Sequence, residues 1–148
     1  MDEKIAHLGF IQNVIARMGG NSFLVKGWTV ALVAAILALS SSSINSGFVL
    51  IAFLPIIVFG WLDSYYLKQE KLFRELYNAV VADEPRVARY SMDTRVVADQ
   101  VSSTLRIAFT VSILPFYLLV TALLLILSYK AGVGFDVSFF KFFCRTSE

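Results

Sequence analysis

Charged positions along this chain leave two long intervals free of charge. One lies between Lys26 and Asp63 and holds 36 residues; the other lies between Arg106 and Lys130 and holds 23. A bilayer core of roughly 30 Å needs about 20 apolar helical residues to cross it. The second interval fits one crossing, predicted over 107–128. The first would reach ~54 Å as a single helix, too far for one crossing. Its middle carries a turn signal, Ser40-Ser41-Ser42-Ser43-Ile44-Asn45-Ser46-Gly47. The pattern therefore predicts a helical hairpin with spans at 27–43 and 47–66. Ala38-Leu39-Ser40 loosely resembles a signal-peptide cleavage site, but a patterned region precedes it and a second apolar arm follows, so the run reads as a retained helix.

Helical periodicity continues outside the spans. Leu8, Ile11, Val14, Ile15 and Met18 share one face, predicting an amphipathic helix over 1–20 that ends at Gly19-Gly20. Asn21-Ser22 would cap the next helix. His7 falls at the edge of that apolar face, where a partly buried histidine is the expectation and a pH sensor the alternative. Beyond Tyr66 the second helix is expected to continue to about Val81. There Leu72, Phe73, Leu76, Tyr77 and Val80 form an apolar stripe. Its partner would be a second subunit, the first helix, or the run Val97, Val101, Leu105. Ala82-Asp83-Glu84-Pro85 breaks the chain, and Asp93 is placed to cap a following helix.

The predicted class is an all-α membrane protein: N-terminal amphipathic helix, helical hairpin with a long cytoplasmic extension, third transmembrane helix. Composition supports it. Apolar residues make up 57% of the chain and charged residues 16%, against about 45–50% and 25% in soluble domains. The whole chain reads as a single membrane domain.

Lys and Arg placement sets the expected orientation. The hairpin turn has none, whereas 67–106 carries Lys68, Lys71, Arg74, Arg86, Arg89, Arg95 and Arg106. The N-terminus and 67–106 are therefore expected in the cytoplasm, with the serine-rich turn and the tail outside. Trp28, Trp61, Tyr65 and Tyr66 would anchor one interface. Phe135, Phe139, Phe140, Phe142 and Phe143 make the tail, 131–148, rich in phenylalanine but too short and too charged to span.

Composition also limits the chemistry. Cys144 and His7 are the only residues of their types, so most metal sites and nucleophile–base pairs are excluded. No metal, cofactor or catalytic residue is expected, and the net charge of +2 is too small to argue for nucleic acid. The acidic residues flanking the spans read as boundary charges, with none inside a span, which counts against ion-coupled transport.

Four groups of residues remain as candidates. Arg86, Arg89, Tyr90 and Arg95 cluster in one turn, where guanidinium groups could hold phosphates and the phenol could stack on a base. The same residues would equally serve as contacts to acidic lipid. Ala31, Ala34, Ala35 and Ala38 form two small-xxx-small pairs suited to close helix packing, and Leu72, Phe73, Leu76 and Val80 are candidates for subunit contact. Pro55 and Pro115 are candidate kinks for a gate. Hydroxyls at Ser40 to Ser43, Thr110, Ser112 and Thr121 could line a pore or bond between helices.

Two blocks carry a resemblance to a known group: HLGFIQNVIARMGGNSFLVKGWTVALVAA from His7 and FLPIIVFGWLDSYYLKQEKLFRELYNAV from Phe53. Together they resemble a family of small bacterial membrane proteins, itself similar to the SLATT-like two-span effectors of nucleotide-signalling and anti-phage loci. That resemblance implies a homo-oligomer in the inner membrane that permeabilises it on an intracellular signal, either a nucleotide second messenger or a signalling protein. The third span and the tail depart from the group. A membrane-anchoring subunit of a larger complex and a phage holin are the alternatives.

Overall fold

A computed structural model describes residues 2–39 and 46–130. The described residues contain helices and turns and no strand. Helix α1, Asp2–Leu39, and helix α2, Ser46–Val81, run antiparallel along one another. Their partners move in opposite directions along the chain: Lys4 meets Asp83, Gln12 meets Tyr77, and Lys26 meets Asp63. A 3-10 helix, Thr94–Gln100, then α3, Thr104–Ala108, and α4, Leu114–Lys130, pack back onto α2.

Two expectations about helix boundaries are corrected. The first concerns Gly19-Gly20, which does not end a helix: α1 continues through both glycines, and Asn21-Ser22 cap nothing. Each glycine costs about 1 kcal/mol relative to alanine, but the helix is held on both sides by packing against α2. A Cβ at Gly19 would stand 3.4 Å from a carboxylate oxygen of Glu70, an ordinary contact. The amphipathic segment and the first span are thus one rod of 38 residues.

The second concerns 107–128, which is not one continuous helix. Ser103 caps α3, which ends at Ala108, and a turn through Thr110 leads into α4. Pro115 is the second residue of α4 and not an interior kink, because the first turn of a helix tolerates a residue without an N–H. The 17 residues of α4 reach about 26 Å. Pro55, by contrast, lies inside α2, which runs on to Val81 as its periodicity predicts.

The interior has two cores. The basal core joins Ile11 of α1, Leu76 and Ala79 of α2, and Val97 of the 3-10 helix. The expected stripe of α2 is therefore covered within the chain, by the first helix and the segment around Val97. The upper core joins Val33, Ala52, Ile56, Ile107, Ile113, Tyr117 and Leu124. Around it the outward faces are apolar as well: Phe23, Trp28, Leu39, Leu54, Ile57, Trp61, Leu118 and Leu119 are all exposed. Helices α1 and α2 are each long and apolar enough to cross a bilayer, and less than a third of either apolar stretch is buried.

Leu76 has no exposed surface. Leu76→Ala is expected to destabilise the fold by ~2–5 kcal/mol, the range for emptying a core leucine site. Val81→Ala, at a half-exposed position, should stay within about 0.5 kcal/mol. Equilibrium unfolding in detergent, followed by circular dichroism, compares the two.

Candidate functional site

Between the two cores lies a layer of polar side chains. Asp63 of α2 is fully buried there. Its carboxylate pairs with the ammonium of Lys26 at 2.5 Å and accepts a hydrogen bond from Ser22 Oγ. Lys26 also donates to Ser22 Oγ at 3.1 Å, closing a triangle between α1 and α2. Thr29, buried one turn further along, returns its hydroxyl to the carbonyl of Val25. Ser64 does the same to Gly60. From α4, the buried hydroxyl of Tyr117 lies beside Thr29 and Asp63. Its ring covers Gly60, where a Cβ would meet it at 3.6 Å.

This layer corrects one expectation. Asp63 lies inside 47–66 and is no solvated boundary charge; it is enclosed, and its counterion comes from the other arm of the hairpin. Lys26 and Asp63 bound the same charge-free interval with opposite signs. If the hairpin closes symmetrically about its turn, they must meet. That symmetry was the available signal.

A second polar assembly sits at the base, where the 83–90 turn folds over the first turns of α1. Lys4 pairs with Asp83 at 2.7 Å. Buried His7 reaches the carbonyl of Ser91 through Nε2 at 3.0 Å and meets the Tyr90 ring edge-on at 5.8 Å. Tyr90 donates its hydroxyl to Glu3 and carries the Arg89 guanidinium 5.3 Å from its ring centroid. The bond to the Glu3 carboxylate holds the phenol above its ordinary pKa. Asp83 and Tyr90 adopt φ of 52° and 61°, the left-handed region that non-glycine residues enter at a cost. Those two residues reverse the chain and return it to α1.

The candidate arginine cluster is divided by this geometry. Arg86 pairs with Glu84 at 2.5 Å, and Arg95 grips Asp93. Asp93 caps the 3-10 helix, as its position predicts, by accepting from the Arg95 amide. Arg89 and Tyr90 line a cavity of about 360 Å³ with Lys4 and His7. Glu3, Asp83 and Glu84 share that lining, so its carboxylates outnumber Lys4 and Arg89. A polyphosphate would meet repulsion along with attraction there.

The remaining candidates are placed as follows. Ala31, Ala34, Ala35 and Ala38 are all exposed, while Thr29 and Val33 turn inward. Pro55 is buried and Pro115 exposed. Thr110 bonds the carbonyl of Ile107, Thr121 is half-buried and Ser112 exposed. Ser40 to Ser43, Cys144 and the phenylalanine-rich tail lie outside the described residues. Among the described residues no group of three or more His, Cys, Asp or Glu side chains is placed to hold a metal. No family model, curated protein or solved structure matches the chain.

Hydrogen bonds from the side chain and amide of Arg95 hold the Asp93 carboxyl below the usual carboxylate range. A lowered value means that the cap contributes while Asp93 is ionised and is lost as pH falls through its folded value. Carboxyl NMR titration should place Asp93 below free aspartate, and Arg95→Ala should move it up toward the ordinary value. In Asp93→Ala, amide exchange in Thr94–Gln100 should quicken at neutral pH.

Proposed function

We propose that the protein is a membrane effector: a hairpin inserted in the bacterial inner membrane that assembles into an oligomer and permeabilises the bilayer on an intracellular signal, in anti-phage defence. The observation that carries this reading is the outward apolar surface of α1, α2 and α4 around the upper core, set above a base that holds most of the polar contacts. Water would be a poor solvent for that surface, whereas lipid matches it. Trp28, Trp61 and Tyr65 are exposed at the level of the Lys26–Asp63 pair, where an aromatic belt belongs. On this reading the N-terminus and 67–106 lie in the cytoplasm.

One protomer cannot enclose an aqueous path with so few helices, so the reading requires several. The outward alanines favour such assembly, since small residues let helices of neighbouring protomers approach closely. Phe73, Leu76 and Val80 serve the protomer's own basal core and Leu72 is buried as well, which leaves subunit contact to other faces. The signal would enter through the base, where Arg89 and Tyr90 line a cavity of ligand size. A nucleotide messenger, a signalling protein and acidic lipid are the partners this reading allows. A non-enzymatic anchoring subunit is the second reading; the intramolecular pairing of Arg86 and Arg95 favours it, because it removes two of the residues a phosphate sensor would use.

Reconstituted protein should release a small dye from liposomes of anionic and zwitterionic lipid and form cross-linked oligomers. Ala31→Leu with Ala35→Leu should cut both. Losing ~1.4 kcal/mol at each contact would correspond to about tenfold. A tight bilayer in every lipid, with and without nucleotides, and a monomer in detergent would replace this reading by the anchoring subunit.

A further inference from the structure

Asp63 is a fully buried carboxylate tied to a lysine whose side chain is 21% exposed. We propose that the Lys26–Asp63 pair is a charge latch, holding α1 against α2 while Asp63 is ionised and releasing it when the carboxylate takes up a proton.

Two helices bring polar groups to Asp63. From α1 come Lys26, Ser22 and Thr29; from α4 comes the Tyr117 hydroxyl. The 3-10 helix and α3 offer their cores aliphatic groups, Val97 and Ile107. Arg95 and Asp99 pair with Asp93 and Arg86. Among the described residues the ion pair of Asp63 is with Lys26 alone. The cation and the Ser22 donor of the ionised carboxylate both come from α1, and α4 offers only the Tyr117 hydroxyl beside them. If the arms part, a bare carboxylate is left in apolar surroundings, which is strongly unfavourable.

Protonation removes that penalty. Water at the exposed edge of Lys26 delivers a proton to Oδ2 of Asp63; Lys26 stays an ammonium, and no covalent bond between heavy atoms changes. The neutral acid no longer needs the cation. Lys26, now without a counterion, gains by carrying its charge outward on its flexible stem. In lipid the apolar faces of the two helices have no burial drive of their own, so the polar tie takes a larger share of what holds them. The exposed pairs at the base do not share this property: Asp83 in the Lys4 pair is largely solvated, and such pairs contribute little.

The test uses the full chain with Cys144→Ser, in lipid nanodiscs. Nitroxide labels are attached at Leu24→Cys and Tyr65→Cys, both exposed. Pulsed EPR should give a single short distance in neutral buffer, and a longer population that grows reversibly as the sample is acidified. Asp63→Asn should show the longer population in neutral buffer, raised about tenfold over the parent, and the swap K26D/D63K should restore the short distance. Lys4→Met is the control and should change nothing. A parent distance unchanged across the pH series, or Asp63→Asn closed like the parent, overturns the latch. If Asp63→Asn does not insert, the parent's pH series decides. Distance is read whether or not the protein leaks, so a failed latch and a failed permeabilisation reading are separate outcomes.

Discussion

Burial of the Asp63 carboxylate constrains everything around it. A charge without solvent must have a partner, and the partner here comes from the opposite arm of the hairpin. That requirement fixes the register of α1 on α2. Sliding one arm by a residue would swing Lys26 by about 100° and leave Asp63 bare. With the register fixed, Gly19 falls opposite Glu70, and Lys4 falls opposite Asp83. The same layer seats α4, because Tyr117 reaches it only by lying across Gly60.

Magnitudes separate this pair from the others. Exposed ion pairs such as Arg74–Glu70 and Arg95–Asp93 are worth ~0–1 kcal/mol at most, with salt screening them further. Removing one partner of a buried pair costs roughly 3–5 kcal/mol. Such a pair is weak evidence for stability as such, since an apolar replacement of equal volume can do as well. Its contribution is specificity: two apolar helices slide easily past one another, and one buried charge pair selects a single register. The basal core is different in kind. Ile11, Leu76, Ala79 and Val97 leave water together, and burial itself supplies the drive.

The hairpin was legible because charge-free intervals and a serine-rich turn are strong one-dimensional signals. So was the stripe ending near Val81, and so was the Asp93 cap, which depends only on local bonding. What sequence missed is what depends on the third dimension. Gly19-Gly20 looks like a helix end until α2 is placed beside it. The interval at 107–128 looks like one span because hydropathy does not register the turn before Pro115. The four turn residues look like one cationic patch, although Glu84, Asp93 and Asp99 take up two of the arginines. The polar layer escaped because Lys26 and Asp63 lie far apart in sequence and each is ordinary at the end of an apolar run.

Continuity of α1 joins the two polar assemblies. Its first turns are gripped by the 83–90 turn and Ser91 through Glu3, Lys4 and His7. Its middle carries Ser22 and Lys26 to Asp63. A rod held at two points transmits rotation between them only if it is stiff, and Gly19-Gly20 is the least stiff part of it. Gly20 has open space around it, and a Cβ on Gly19 would only reach ordinary contact with the Glu70 carboxylate. A displacement at the turn over α1 would therefore have to cross this glycine pair to reach Lys26.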